Sequence, residues 1–320
     1  MYLYFHVLGD FNKRDYNAPP VRVIFCEEIS EIATGQFPDL WRLGQSYFTG
    51  ELRGISEPKP GNFKLIILTA IDRFCSYVRA AIFPQNQKYS QVPTWNFASS
   101  SQLQQFLTWL PTCLRYLRVS YASLIRLDLP GEALDIVMKL IDELRFYCLT
   151  TILKKTVDKV KKLHELETWD LTVTEFAGAT LLPSKLEELL VEALEEGQQM
   201  CLQSEIREGT LFDVPNSERQ REISTIVENV LKYFNQVIEN LATERSDDEI
   251  QQMPRQLIGF PASSSNLLPH SINLKEAKST VNSIITITWE HRLLCCLANS
   301  AYCNKIFYPA LAQLFAKLVC

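Results

Sequence analysis

Apolar residues spaced three and four apart dominate the chain, and that spacing predicts helices. Between Pro60 and Pro84 the apolar positions are Phe63, Ile67, Ala70, Ile71, Phe74, Tyr77, Val78 and Ala81, one helix with one buried face. From Ser101 to Leu127 the stripe is Leu103, Phe106, Leu107, Leu110, Leu114, Leu117, Tyr121 and Leu124. Pro111 falls inside that stripe, removes a backbone donor, and predicts a kink or break there. From Pro130 to about Leu166 nothing after Gly131 interrupts the helical pattern. A helix of ~36 residues would be ~54 Å long, which favours a rod over a sphere. Within it, Pro130 suits the first turn, and Asp128 and Glu132 suit the positive end of the dipole. Leu134, Val137, Ile141, Leu144 and Cys148 form its expected buried stripe, with Asp142 and Arg145 pairing across the surface.

A loop of about fifteen residues, "TWDLTVTEFAGATLLP", follows. The helical pattern restarts at Ser184, with Leu186, Leu189, Leu190, Ala193 and Leu194 on one side. Ser217 and Gln220 have the spacing of a capping box. Beyond them runs the most regular stripe: Ile223, Ile226, Val227, Val230, Leu231, Phe234, Val237, Ile238 and Leu241. Residues 244–273 hold four acids, three prolines and "SSS", and read as a linker. The β-branched "TVNSIITITW" then runs into "EHRLLCCLANSAYC", and the whole stretch is taken as helical. The chain stops at "LFAKLVC" inside a helical pattern, which reads as a chain cut short. The expected organisation is an unplaced segment at 1–35, helical bundles at 36–243, a linker at 244–273 and a truncated further bundle at 274–320. The fold class is all-α, an elongated rod of consecutive antiparallel helical bundles.

Composition narrows the function. Acidic residues outnumber basic ones, 37 to 32, which leaves no basic footprint for nucleic acid. With 11 glycines, the chain has neither a GxGxxG nor a P-loop, so no cofactor or small-molecule substrate is implied. The nine cysteines form no CxxC and read as buried free thiols in a reducing compartment. The first residues make a poor signal peptide and no apolar run reaches ~20 residues, so a soluble, intracellular chain is expected. His6, His164, His270 and His291 lack partners at metal-ligand spacing. His164 suits a helix C-terminus. His291 with Cys295 one turn on has the spacing of a base and a nucleophile, but "LLCCLA" is an apolar setting that disfavours a thiolate. The serine runs at 99–101 and 263–265 are read as loops without a nucleophile elbow. "KKTVDKVKK" places Lys155, Lys159 and Lys162 on one helical side. That side is a candidate anionic-surface face, a solvated face, or the partner of the acidic run Glu187, Glu188, Glu192, Glu195 and Glu196. No residue is assigned a catalytic, cofactor-binding or metal-ligating role.

Four blocks in register carry a resemblance. They are "FPDLWRLGQSYFTGEL", "SLIRLDLPGEALDIVMKLIDELRFYCL", "TWD" with "TLLPSKLEELLVEAL", and "EHRLLCCLANSAYC". Pro38, Trp41, Tyr47 and Gly50, then Asp128, Pro130, Arg145 and Cys148, then Trp169, Leu182 and Pro183, and finally Glu290, Arg292, Leu294, Leu297 and Asn299 are among the matching positions. Together they resemble the exocyst component 2 family of Sec subunits. The resemblance implies a helical-rod tethering protein without enzymatic activity, holding secretory vesicles at the plasma membrane before fusion. It implies other exocyst subunits as partners, peripheral membrane association through the complex, and small GTPases through regions absent here. The immunoglobulin-like module that contacts Ral in that family is not visible, so Ral binding is not carried over. Two other readings suit the same architecture: a subunit of a Golgi or endosomal tethering complex, and a helical small-GTPase regulator using Arg145 as its finger.

Overall fold

The computed structural model describes residues 18–51, 60–83, 100–173, 178–202, 211, 218–243 and 288–319. The His6, His270, Ser217 and linker assignments lie outside them. The chain divides into two compact units, one of residues 1–155 and 193–226, the other of 156–192 and 227–320.

In the first unit, α1 (Val21–Gly35) packs on α3 (Pro60–Ile82) and α5 (Leu110–Ile125). Helices α2 (Phe37–Phe48) and α4 (Ser100–Leu107) flank them in sequence, and α6 spans Gly131–Lys161. The predicted stripes are the core. Ile67, Ile71 and Val78 of α3, Leu114, Leu117 and Leu124 of α5, and Val137, Ile141 and Leu144 of α6 are all buried. Residues 21–35, unplaced by periodicity, are a helix that contributes Val23 and Cys26 to this core. Its Arg22 reaches across to donate to the Ala81 carbonyl at 2.9 Å. Arg79 of α3 holds Glu143 of α6 through two hydrogen bonds, at 2.9 and 3.2 Å. Trp41 and Phe48 of α2 pack on the Phe63 ring. Gly44 permits this, because a Cβ there would fall inside that ring.

Pro111 acts as its chemistry predicts. α4 ends at Leu107, α5 starts at Leu110, and the Trp109 carbonyl accepts from Thr112 and Cys113. Proline therefore sits in a first turn, where its missing N–H costs nothing. Three local expectations change. Ser100 and Ser101 open α4 instead of lying in a loop. α6 has 31 residues, followed by a 3-10 turn at Leu163–Leu166, so the rod-length helix is nearer ~47 Å. Pro130 lies just before α6, its carbonyl accepting from Ala133, while Asp128 takes a left-handed φ of 51° in the turn from α5. Asp and Asn tolerate that conformation best after glycine, so Asp128 shapes the turn and does not cap the helix.

In the second unit, the stretch read as loop contains a two-stranded antiparallel ladder, β1 (Thr172–Val173) with β2 (Gly178–Ala179). Two pairs are too few to show a period of two in the sequence. Helix α7 (Leu181–Gly197) begins at Leu181, ahead of the expected Ser184; its end and the π turn that follows, Gln198–Leu202, are counted with the first unit. Helix α8 spans Glu218–Thr243 and α9 spans Trp289–Tyr302. A second π turn, Cys303–Phe307, leads into α10 (Tyr308–Val319). Thr288 caps α9, its hydroxyl accepting from the His291 amide at 3.3 Å. The core of this unit gathers Val160, Leu163, Leu186, Val230, Phe234, Cys295 and Phe307. Tyr308 donates its hydroxyl proton to Asn235 of α8 at 2.6 Å. Among the described residues no helix is long and apolar enough to cross a membrane.

Candidate functional site

The polar groups of the second unit converge where the segment 167–180 meets α9. Trp169 adopts a φ of 62°, which a bulky residue occupies only when its surroundings enforce it. Here they do. Its amide donates to Glu167 Oε1 at 2.7 Å, and its carbonyl accepts from His291 Nε2 at 2.8 Å. The Cys295 thiol also points at that carbonyl, at 3.6 Å. The Arg292 guanidinium stacks over the Trp169 ring, 5.3 Å from its centroid.

One helical turn further along α9, Asn299 is fully buried. Its Oδ1 accepts from the Thr180 amide at 2.8 Å, and its Nδ2 donates to Thr180 Oγ1 at 2.8 Å. Thr180 Oγ1 passes its own proton to Glu167 Oε2 at 2.7 Å, which closes the network. His291, Arg292, Cys295 and Asn299 lie along α9, so one helix grips both ends of the hairpin.

This geometry bears directly on the base-and-nucleophile candidate. His291 Nε2 lies 3.6 Å from Cys295 Sγ, but a carbonyl can only accept, so Nε2 carries the proton it gives to Trp169. It therefore cannot also take the thiol proton. Burial, with Glu167 and Asp170 nearby, pushes the Cys295 thiol up. Both effects oppose a thiolate. The pair is a structural clasp. His164, by contrast, is exposed and donates Nδ1–H to the Lys161 carbonyl at 2.9 Å, satisfying a helix C-terminus as expected.

In the first unit, Arg145 is buried with 1% of its surface exposed. Its Nε donates to the Cys201 carbonyl at 2.7 Å and its Nη1 to Asp142 at 3.0 Å. Arg118 donates to the Met200 carbonyl at 3.2 Å. Two arginines from α5 and α6 thus hold consecutive carbonyls of the π turn Gln198–Leu202. The pairing with Asp142 is the expected one, but Arg145 faces inward and not across the surface. An arginine finger must project into another protein's active site, so a guanidinium spent internally is in the wrong place.

All eight described cysteines are free and buried. Hydrogen bonding to Cys113 and burial raise the Cys26 thiol well above its usual range, and Cys201 and burial do the same to Cys148. Burial lifts Cys75 and Cys303 to about 12. Among the described residues no cluster of His, Cys, Asp and Glu is arranged to hold a metal. Of the three lysines singled out, Lys159 pairs with Glu192 of α7 at 2.7 Å, realising the contact between the basic and acidic runs. Lys155 and Lys162 are exposed.

The buried polar side chains thus define an all-helical protein whose charged and hydrogen-bonding groups hold its own segments together. The family model for exocyst complex component Sec5 matches residues 11–319, and the chain belongs to that family. It is 49% identical to exocyst complex component 2 of Drosophila melanogaster over 311 residues, 95% of this chain and 33% of the relative. The Mus musculus and Homo sapiens proteins of that name are 26% and 24% identical, over 93% of this chain and 31% of each relative. The chain spans about a third of the length of these relatives. No significant match to a solved structure was found.

The clasp joins positions that the sequence resemblance had marked separately, since Trp169 lies in the third block and Arg292 and Asn299 in the fourth. Glu167 and Thr180 were missed. The available signal was Asn299 itself, an amide set in the apolar run "LLCCLANSAYC".

Proposed function

We propose that this chain is a helical part of an exocyst subunit that contributes to tethering secretory vesicles at the plasma membrane before fusion. It works in the cytoplasm without enzymatic activity, through contacts between helices and the other subunits. The family match across residues 11–319 carries this reading. The internal use of Arg145, His291 and Cys295 supports it against a GTPase-activating or thiol-hydrolase role. Affinity purification from cells, followed by mass spectrometry, should recover the other exocyst subunits. Recovery of a Golgi or endosomal tether in their place would overturn the assignment.

Membrane association comes through the complex, with the basic run 154–162, at and just beyond the end of α6, as its contact in this chain. Lys155 and Lys162 support that role by their exposure, whereas Lys159 is already paired with Glu192. Sedimentation with phosphatidylserine vesicles should fall with added salt and with Lys155→Glu and Lys162→Glu. Binding indifferent to lipid charge would leave α6 as a solvated face.

A further inference from the structure

The fold of the first unit brings together two cysteines that are far apart in sequence. Cys148 lies in the middle of α6, and Cys201 in the π turn after α7. Arg145, three residues before Cys148, donates to the Cys201 carbonyl at 2.7 Å, and Arg118 holds the adjoining Met200 carbonyl at 3.2 Å. Just ahead of the turn, Gly197 comes so close to α6 that a Cβ there would stand 3.1 Å from Leu149 Cδ1. Arg145 and Leu149 flank Cys148, so the neighbours of one cysteine fix the turn that carries the other. Cys148 is 2% exposed and Cys201 0%, and their thiols share a hydrogen bond. Among the described residues no third His, Cys, Asp or Glu is arranged to hold a metal with them. The chemistry left to two enclosed, adjacent thiols is a bond between their sulfurs.

We propose that Cys148 and Cys201 are a redox-responsive pair, a dithiol under reducing conditions and a disulfide under peroxide, and that the disulfide locks the π turn to α6. Hydrogen peroxide is the oxidant. The Cys201 sulfur attacks one peroxide oxygen, the O–O bond breaks, and a sulfenic acid and one water result. The Cys148 sulfur then attacks the Cys201 sulfur. The S–S bond forms, the S–O bond breaks, and the departing hydroxide takes the Cys148 proton as a second water. Two electrons pass from the thiols to the peroxide. Cys201 reacts first, because a single turn opens locally at less cost than the middle of a 31-residue helix. Enclosure makes the reaction slow, so release of the turn gates it. Cys26 and Cys113 are also buried and hydrogen-bonded to each other, but both lie inside regular helices, α1 and α5. A π turn adjusts its Cα position more readily toward the ~5.5–6 Å that a disulfide needs. The pair at the turn is therefore the one that closes.

Peroxide titration of the reduced, purified chain tests this, with remaining thiols blocked by N-ethylmaleimide and peptides mapped by mass spectrometry. The Cys148–Cys201 disulfide is expected as the first cross-link, two hydrogens lighter than the dithiol and reversed by dithiothreitol. Arg118→Met frees the Met200 carbonyl and should speed its formation about tenfold, with the circular dichroism spectrum unchanged. Cys148→Ala should leave Cys201 as a sulfenic acid that dimedone traps. A first cross-link at Cys26–Cys113 overturns the proposal, and so does a Cys148–Cys201 pair that stays reduced until urea unfolds the chain. Both of those readings come from the parent chain and need no variant to fold. An Arg118→Met chain that closes no faster than the parent overturns the gating by the turn.

Discussion

Arg145→Ala is expected to destabilise the first unit by about 3–4 kcal/mol, measured by urea unfolding followed by circular dichroism. The loss has three parts. The Cys201 carbonyl keeps its buried position but loses its donor, Asp142 loses its charge partner, and the long side chain leaves a cavity between α6 and the π turn. Asp142 is 34% exposed at its side chain, so water recovers part of its loss, and the carbonyl and the cavity dominate. Arg145→Met separates these effects. It fills most of the volume but offers no donor, and should cost about 2 kcal/mol. Arg145→Lys retains a charge yet cannot serve carbonyl and carboxylate from one planar fork, so it is not conservative here. If Arg145→Ala left stability within about 0.5 kcal/mol of the parent, as for an ordinary surface change, the guanidinium would be free of the core. The GTPase-finger reading would then return, and GTP hydrolysis assays would decide it.

That outcome turns on a feature the sequence hides. The stripes of α3, α5, α6 and α8 were legible because burial imposes a period of 3.6 on side-chain polarity, and Ile67, Leu117, Val137 and Phe234 lie where it placed them. Arg145 sits at the edge of such a stripe, beside Leu144 and three residues before Cys148. Charge alone assigns it to the surface, since arginine is rarely buried without partners. Its decisive partner is a backbone carbonyl 56 residues away, and carbonyls leave no trace in composition. The same limit applies to α1, whose "VRVIFCEE" has apolar residues on successive positions and no clean stripe. It applies equally to the hairpin, where two ladder pairs are held by side chains more than a hundred residues downstream. Leu294 and Leu297 fail in the other direction. Periodicity marks leucines as core, yet these face solvent, because α9 spends its inner side on cysteines and an asparagine.

Asn299 is therefore where the second unit should be most sensitive. Asn299→Ala leaves the buried Thr180 amide without its side-chain acceptor and Thr180 Oγ1 with only the long 3.5 Å contact from the Leu182 amide, a cost of about 2–3 kcal/mol. Amide hydrogen exchange reads it locally, as faster exchange at Thr180 and Trp169 while α5 and α6 stay protected. Asn299→Asp is the sharper probe. It keeps an oxygen for the Thr180 amide but loses the donor, and brings a second carboxylate into a network that already holds Glu167. Burial and the neighbouring charge both raise the folded-state pKa of the new acid above its unfolded value. A group shifted upward in the fold is tolerated while protonated, and its penalty grows as pH rises through the folded pKa. Asn299→Asp should accordingly approach the parent in stability near pH 5 and fall away by pH 8, whereas Asn299→Ala loses a similar amount at both. A pH-independent deficit in the aspartate variant would show that position 299 is solvated, and that the contact with Thr180 does not hold the hairpin to α9.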